Sequence, residues 1–134
     1  MSDRQAKAGT IFLAEGERHV LDALRLVLEQ QTDIEILGET RSAEGLLAHV
    51  CRLSPDAILL DWNLPGFYPQ RLIPILRECC PSAKLVAFSV KPEHERIAKD
   101  FGVDGFISKQ LPPGSFLDSL KSILEQAIRN KEDP

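Results

Sequence analysis

The chain has 134 residues, a formal net charge of −4, 43% hydrophobic residues and 27% charged residues, which is typical of one globular domain of ordinary size. A chain of this length buries a sizeable core without a metal or a disulfide to stabilise it. No stretch concentrates lysine and arginine, which disfavours nucleic-acid binding through a broad basic face. No apolar run suits a signal peptide or a membrane span, so we expect a cytoplasmic protein.

The cysteines predict neither a disulfide framework nor a metal site. There are three of them, Cys51, Cys79 and Cys80, an odd number that includes an adjacent pair. None has a partner at CxxC spacing and the histidines are scattered, which disfavours a structural zinc site. The sequence therefore predicts reduced, half-buried thiols on helices, in a reducing compartment.

The first half of the chain is predicted to contain two strands, each followed by a helix. The apolar run at 10–14 predicts a strand that is buried on both faces. Residues 18–31 repeat apolar side chains at helical spacing. A second strand is predicted at 34–37, and Ser42 is suited to cap a helix that extends to Leu53.

The second half continues the same alternation. A third strand at 57–60 leads directly into Asp61. The next helix is predicted at about 70–79, and Pro74 inside it predicts a late start or a kink. The remaining elements, in chain order, are a strand at 84–90, a helix from Pro92 to Gly102, a strand at 105–108 and an amphipathic helix that ends near Arg129.

Five alternations of strand and helix predict an α/β fold. A five-stranded parallel sheet with helices on both faces, a doubly wound (βα)5 architecture, satisfies this order with right-handed crossovers. The domain is expected to cover residues 10–129. It would lie between a disordered lead-in at 1–9 and a polar tail at 130–134.

The residues that follow each strand are the candidate functional residues, because ligands bind beyond the carboxyl ends of an open parallel sheet. These residues are Glu15, Glu17, Asp61, Asn63, Ser89 and Lys109. Clustered carboxylates attract a hard, oxygen-seeking cation such as Mg²⁺. A carboxylate beside bound Mg²⁺ can attack a phosphoryl donor, because the metal and a lysine offset the negative charge of the donor.

Four short motifs also occur in a fixed order: an acidic turn after the first strand, LLDWNLPG around Asp61, FSV around Ser89, and GFISK ending in Lys109. Each is weak alone. Together, on this βα pattern, they resemble a bacterial two-component response-regulator receiver domain over about residues 10–129. The resemblance implies a flavodoxin-like receiver fold, which matches the doubly wound order. It also implies phosphorelay signal transduction in place of enzyme activity.

The resemblance gives a role to each matching residue. Asp61 matches the phospho-accepting aspartate, and Asn63 matches the position whose backbone carbonyl ligates Mg²⁺. Ser89 matches the hydroxyl that turns toward the phosphoryl group, and Lys109 matches the lysine that pairs with it. Phe106 matches the aromatic switch residue that rotates inward when Ser89 moves.

The resemblance also implies partners. The donor would be a histidine kinase or phosphotransfer protein, and the output would pass to an unknown downstream protein or to a second copy of the chain as a homodimer. The chain ends soon after the last helix, so we expect no DNA-binding domain and no membrane segment.

The chain departs from the family at the acidic pair after the first strand. Glu15 is followed by Gly16, where receivers carry a second acid that ligates Mg²⁺ directly. Glu17 is one residue further on and is either a substitute ligand or a solvated side chain. The loss of one carboxylate should weaken Mg²⁺ binding, because affinity depends on ligand charge and number.

Three functional hypotheses follow. The first is a receiver phosphorylated on Asp61, and the second is a degenerate receiver that acts as a phosphorylation-independent protein-interaction module. The third, a flavodoxin-like enzyme or nucleotide-binding domain, is disfavoured because Glu15-Gly16-Glu17 forms neither GxGxxG nor a P-loop.

Two further expectations concern the surroundings of the site. The segment from Ser89 to Gly102 is slightly shorter than usual in receivers, which predicts a reduced fourth helix. Trp62 is expected to be exposed in the loop after Asp61, where it would contact a partner or cover the pocket.

Overall fold

The computed structural model of the chain describes residues 9–132, with side chains described for residues 9–130. Most of the predicted lead-in, residues 1–8, and the last two residues of the predicted tail lie outside the described residues. Five strands alternate with five helices. In chain order they are β1 Gly9–Ala14, α1 Arg18–Glu29, β2 Ile34–Thr40, α2 Ala43–Leu53, β3 Ala57–Asp61, α3 Pro69–Cys79, β4 Lys84–Ser89, α4 His94–Asp100, β5 Gly105–Ser108 and α5 Pro113–Glu132.

The strands form one parallel sheet in the order β2-β1-β3-β4-β5. The chain moves outward from β1 to β2, crosses back to β3 and then continues outward on the other side. Strand order therefore reverses at β1 and β3, and a crevice opens beyond their carboxyl ends. The doubly wound α/β fold is confirmed.

Helices cover both faces of the sheet, as predicted. Alternate residues of β3 face opposite layers: Ile58 and Leu60 pack with α2 and α3, whereas Ala57 and Leu59 pack with α1 and α5. All five residues of β3 are buried, which explains why this strand is a continuous apolar run that ends in a single acid. Among the described helices, none is long and apolar enough to cross a bilayer.

Most element boundaries lie within one or two residues of the prediction, and the differences at β2 and α3 have a clear physical cause. β2 continues to Thr40, three residues beyond the predicted end, because its last residues pair with the end of β1 after a register shift. α3 begins at Pro69, earlier than predicted, since a proline suits the first helical position. The helix then continues through Pro74, whose exposed position turns the ring toward solvent. Of the two expected consequences of Pro74, a late start or a kink, the late start was wrong.

The fourth helix is short, as the length of its segment predicted. α4 contains seven residues, His94–Asp100, and buries only Ala98. Ile97 within the helix and its flanking residues Val90 and Phe101 remain substantially exposed. α4 therefore contributes one buried side chain to the core layer.

Trp62 is buried, which corrects the expectation of an exposed loop residue. Its relative exposure is 8%. Its ring lies edge-on to Phe67 with centroids 4.9 Å apart, and the Phe101 centroid is 6.3 Å away. The backbone N–H of Trp62 donates to the carbonyl of Phe88, extending the β3–β4 ladder by one residue. The indole belongs to the buried core cluster on this face of the sheet.

The cysteines also depart from the prediction. Cys51 and Cys79 form a disulfide, whereas Cys80 is a free, buried thiol. The carboxyl ends of α2 and α3 meet on one face of the sheet, which brings the two Cα atoms to 5.3 Å, a normal disulfide separation. Counting cysteines along the sequence could not reveal this approach of two helices.

Candidate functional site

The carboxyl ends of four strands meet at one edge of the sheet. Asp61 pairs in register with Phe88, next to Ser89 at the end of β4, and Ser89 pairs with Ser108, next to Lys109 after β5. Glu15 follows the end of β1, which lies beside β3. Because all the strands are parallel, the predicted residues after each strand converge.

An ion cluster lies at the centre of this edge. Lys109 Nζ lies 3.0 Å from Glu15 Oε1 and 3.1 Å from Asp61 Oδ1. The side chains of Glu15 and Asp61 are 1% and 3% exposed, and that of Lys109 is 13% exposed. The ammonium group also lies 5.4 Å from the centroid of the Phe88 ring. One lysine therefore balances two buried carboxylates.

Backbone groups hold the Asp61 carboxylate in place. The N–H of Gly16 donates to Oδ2 at 3.0 Å, and the N–H of Asn63 donates to Oδ1 at 2.9 Å. Both oxygens of Asp61 are therefore engaged, Oδ1 by Asn63 and Lys109 and Oδ2 by Gly16. The carboxylate is oriented and charge-stabilised, but neither oxygen is free of a donor.

Gly16 lies where the loop after β3 leaves no room for a side chain. A Cβ atom added at Gly16 would be 2.6 Å from Pro65 Cδ and 3.4 Å from Asp61 Oδ2. Pro65 therefore fills the space that an acidic side chain at position 16 would enter. The absence of a carboxylate at position 16 and the position of Pro65 therefore go together, because a side chain at position 16 and the Pro65 ring would occupy the same space.

Glu17 lies at the mouth of the site and not inside it. Its side chain is exposed, and its backbone N–H donates to Glu15 Oε2 at 3.0 Å. The side chain lines a cleft of about 710 Å³ together with Asp61, Asn63 and Lys109. The structure therefore brings Glu15, Asp61 and Lys109 into contact but leaves Glu17 outside that contact.

Arg41 is a site residue that the sequence did not predict. Its Nε and Nη2 donate to the Gly16 carbonyl at 3.1 and 3.0 Å, and its side chain lines the same cleft as Asp61. The missed signal was the length of β2: once the strand is known to end at Thr40, Arg41 is the residue that follows it. Arg41 thus brings a second cation to the edge of the sheet.

Ser89 is buried at the end of β4 but is not bonded to the ion cluster. Its Oγ lies 2.7 Å from His94 Nδ1 and accepts from the backbone N–H of Lys91 at 3.1 Å. Phe106 is half-buried and packs against the core layer of α2 and α3. His94, five residues beyond Ser89, is the second contact that sequence reasoning missed.

Burial raises the pKa of Glu15. Desolvation raises the pKa of Glu15 above its ordinary value of 4.5, and the nearby Asp61 charge raises it further, whereas the Glu17 N–H and Lys109 lower it. Glu15 Oε1 accepts no hydrogen bond of good geometry from any described residue. The ionised form of this carboxyl group is therefore incompletely compensated.

The folded state should bind the Glu15 proton more tightly than the unfolded chain does. The stabilising contribution of protonated Glu15 is then complete below pH 4.5 and is lost as pH rises through the higher folded-state pKa. We expect the free energy of unfolding of the wild type, relative to Glu15→Gln, to fall over that interval. Urea unfolding of both proteins across the pH range measures the difference, and a constant or rising difference contradicts the assignment.

A family model matches most of this architecture. The model of the response regulator receiver domain matches residues 11–121. The chain belongs to the response regulator receiver domain family. Membership makes it a two-component signalling domain and not an enzyme, as the sequence motifs predicted.

Curated relatives of this receiver include a response regulator and a transcriptional regulatory protein. The chain is 31% identical over 113 residues to the nitrate/nitrite response regulator protein NarL of Escherichia coli K12, covering 83% of this chain and 52% of that protein. It is 25% identical over 116 residues to the transcriptional regulatory protein DesR of Bacillus subtilis, covering 86% and 58%. The receiver therefore spans a little over half the length of these relatives.

Solved receivers share its fold. A CheY-like response regulator receiver domain protein from Methanospirillum hungatei superposes with a TM-score of 0.78 at 20% identity, covering 94% of this chain and 99% of that one. The isolated receiver domain of RcsB from Salmonella enterica, in the presence of the phosphomimetic BeF3−, superposes with a TM-score of 0.73 at 21% identity. The match covers 84% of this chain and 85% of that one. At these identities the likeness concerns the fold.

Proposed function

We propose that this receiver accepts a phosphoryl group on Asp61 from a histidine kinase or a phosphotransfer protein. The observation that carries the proposal is the Lys109–Asp61 contact of 3.1 Å at the floor of an open cleft. A phosphoryl group on Asp61 would bring additional negative charge beside Lys109 and near Arg41. These cations offset that charge in a site where water screens it poorly.

The residues present fit Mg²⁺ with one carboxylate fewer than the family pattern. Glu15 and Asp61 supply two carboxylates, Glu15 Oε1 lacks a hydrogen bond from the described residues, and the Asn63 backbone carbonyl follows directly. Mg²⁺ is commonly held by one or two carboxylates together with water. When bound, the ion would neutralise charge on the phosphoryl oxygens.

The expected response to phosphorylation involves Ser89. Its hydroxyl group would exchange its contact with His94 for a hydrogen bond to a phosphoryl oxygen, which is the stronger partner because it is charged. The half-buried Phe106 would then rotate into space that Ser89 and the short helix α4 leave. The face formed by α4, β5 and α5 would change and alter the binding of a downstream protein or of a second copy.

A second candidate function is a phosphorylation-independent interaction module. Two observations favour it: Pro65 occupies the space beside Gly16, and the Gly16 N–H donates to the Asp61 oxygen that Lys109 leaves free. Both reduce the access of a metal or a phosphoryl donor to Asp61. Under this reading the fold is retained for contacts with partners and the site no longer switches.

Phosphorylation of Asp61 is directly testable. We expect phosphoramidate or acetyl phosphate with millimolar Mg²⁺ to add one phosphoryl mass to the wild type and none to Asp61→Asn, because Asn has no nucleophilic carboxylate. Intact-protein mass spectrometry measures the gain. Asp104→Asn, which alters a carboxylate far from the cleft, is the matched control and should still gain the mass.

Two results would decide between the candidates. No mass gain in the wild type at saturating Mg²⁺ rejects the phosphoryl-acceptor proposal and leaves the interaction module. A gain that persists in Asp61→Asn places the phosphoryl group elsewhere.

We also propose a cytoplasmic location, where a histidine kinase or phosphotransfer donor would reach the cleft.

A further inference from the structure

Three sulfur atoms lie together at the carboxyl ends of α2 and α3. The Sγ atoms of Cys51, Cys79 and Cys80 are all within 4.8 Å of one another. Cys79 and Cys80 Sγ are 3.6 Å apart, and the chain leaves the helical conformation at Cys80, which points both side chains of this adjacent pair the same way. This thiol cluster, defined as Cys51, Cys79 and Cys80, has no role in the phosphoryl site.

The thiol cluster lies at the opposite edge of the sheet from Asp61. Helices that connect parallel strands run antiparallel to them, so the carboxyl ends of α2 and α3 lie near the amino ends of the strands. Asp61 is at the carboxyl end of β3. Changes in the cluster can therefore be made without touching the ion cluster.

We propose that the reduced thiol cluster is a three-thiolate site for a soft monovalent cation of the Cu(I) type. Thiolates are the preferred ligands of soft metals, and three of them suit an ion that accepts three-coordination. Metal–sulfur bonds of about 2.3 Å place trigonal sulfur atoms about 4 Å apart. Cys79 and Cys80 Sγ are already 3.6 Å apart, whereas the bonded Sγ atoms of Cys51 and Cys79 must separate by side-chain rotation after reduction.

The number of ligands argues for Cu(I) over Zn²⁺. Structural zinc sites take four protein ligands. Among the described residues, no fourth cysteine, histidine or carboxylate joins the three sulfurs. Cys80 is 5% exposed and lies in the apolar core layer, whereas Cys51 and Cys79 are half-buried. A soft, weakly hydrated ion suits a site that is apolar on one side and open on the other.

The site exists only after reduction. The Cys51–Cys79 bond takes two electrons and two protons from a dithiol reductant, which becomes a disulfide, and yields two thiols. Metal binding then releases thiol protons to solvent as the sulfurs become thiolates. Because each thiol must lose its proton to become a ligand, binding should weaken at lower pH.

A bound ion would join α2 to α3 as the disulfide does. Because folding brings Cys51 to the adjacent pair Cys79 and Cys80, the ion should bind the folded state more tightly than the unfolded chain and so stabilise the fold. The same two helices are thus linked by a covalent bond under oxidising conditions and by a metal under reducing conditions. The cluster would keep this corner of the fold fixed in both.

Competition for Cu(I) tests the site. Full-length protein is reduced with a phosphine, freed of reductant without oxygen, and titrated with Cu(I) against a chromogenic bicinchoninate-type chelator. We expect one Cu(I) per chain, and an affinity at least about tenfold above that of Cys80→Ser or Cys51→Ser, because each variant lacks one thiolate. Equimolar Zn²⁺ should not displace the copper.

The controls keep the test decisive even if a reduced variant is less stable. Cys80→Ser retains the Cys51–Cys79 disulfide, so its oxidised form reports whether the substitution itself disturbs the fold. Oxidised wild type, which has one free thiol, should take up no stoichiometric copper. Equal affinity in the reduced wild type and Cys80→Ser, uptake by the oxidised protein, or displacement by Zn²⁺ overturns the proposal.

Discussion

Replacing Lys109 with methionine is expected to lower the free energy of unfolding by about 3 kcal/mol at neutral pH, because it leaves buried carboxylates without their cation. Glu15 and Asp61 are 1% and 3% exposed, and Lys109 contacts both. Methionine keeps the apolar stem against Phe88. The loss therefore measures charge compensation more than packing.

The effect of Lys109→Met should depend on pH. Lys109 lowers the pKa of Glu15, so its removal raises that pKa further. Protonated carboxyl groups no longer need a cation, and the destabilisation should shrink as pH falls toward about 4.5. Urea unfolding at several pH values, with circular dichroism as the readout, measures this trend.

A surface lysine provides the matched control. Lys121 Nζ lies 3.5 Å from Asp33, in a pair whose side chains are 31% and 27% exposed. Lys121→Met should cost less than about 1 kcal/mol, since exposed ion pairs contribute little. If both variants lose the same stability, or if Glu15→Gln fails to relieve part of the loss in the Lys109→Met background, the buried-charge explanation is wrong.

Replacing Gly16 with aspartate is expected to destabilise the fold by about 1–3 kcal/mol through overpacking. The new Cβ would lie 2.6 Å from Pro65 Cδ, and the new carboxylate would lie beside Asp61. Both the steric contact and the added negative charge oppose the substitution. Thermal unfolding measures the loss.

The double variant Gly16→Asp/Pro65→Ala should recover stability and bind Mg²⁺ more tightly than the wild type. Alanine removes the ring that blocks position 16, and the added carboxylate supplies a charged ligand, for a gain of at least about tenfold in affinity. Trp62 directly follows Asp61 and is buried, so its fluorescence can follow the titration.

Gly16→Ala/Pro65→Ala has the same backbone changes without the carboxylate. It should recover stability without the gain in Mg²⁺ affinity. If the aspartate double variant binds Mg²⁺ no better than this control, the absence of an acid at position 16 is not what limits the metal. If Gly16→Asp alone is as stable as the wild type, Pro65 does not restrict the site.

The two sets of variants bear differently on the candidate functions. Lys109→Met tests whether Lys109 offsets the charges of Glu15 and Asp61. A phosphoryl acceptor needs this compensation, but an interaction module would have it too, so the variant does not separate the two candidates. The Gly16 variants test whether the missing carboxylate at position 16 is what limits the Mg²⁺ affinity of the site. A large gain in Mg²⁺ affinity and phosphorylation on restoring the acid would indicate a weakened acceptor, whereas no phosphorylation of either protein would indicate an interaction module.

The arrangement of strands was readable because each buried strand is a short apolar run bounded by a turn residue. β3 is the clearest example: AILL is buried on both faces, and the acid that follows it marks the functional edge. Parallel strands place such residues at the same edge whatever the details of the helices. Glu15, Asp61, Ser89 and Lys109 could therefore be assigned to one site in advance.

Packing decided what local patterns could not. Trp62 is polar-flanked in sequence but buried in the fold, because one additional backbone hydrogen bond to Phe88 continues β3 past Asp61. Arg41 was missed because the end of β2 depends on pairing with β1 across a register shift. The strands that pair are distant in sequence, so a short stretch of sequence does not show where pairing ends a strand.

The sequence by itself determined the βα alternation and the position of Asp61 at the carboxyl edge of the sheet, because these follow from periodicity and from the order of residues after strands. The family followed from the resemblance of four short motifs to receiver domains. Only the tertiary structure decided that Pro65 fills the space beside Gly16, that His94 holds Ser89, and that three cysteines meet. Those contacts join separate elements, and their distances depend on how helices and loops pack on the sheet. Asp61 was therefore predictable as the centre of the site, whereas the access of a metal or a phosphoryl donor to it depends on three-dimensional packing.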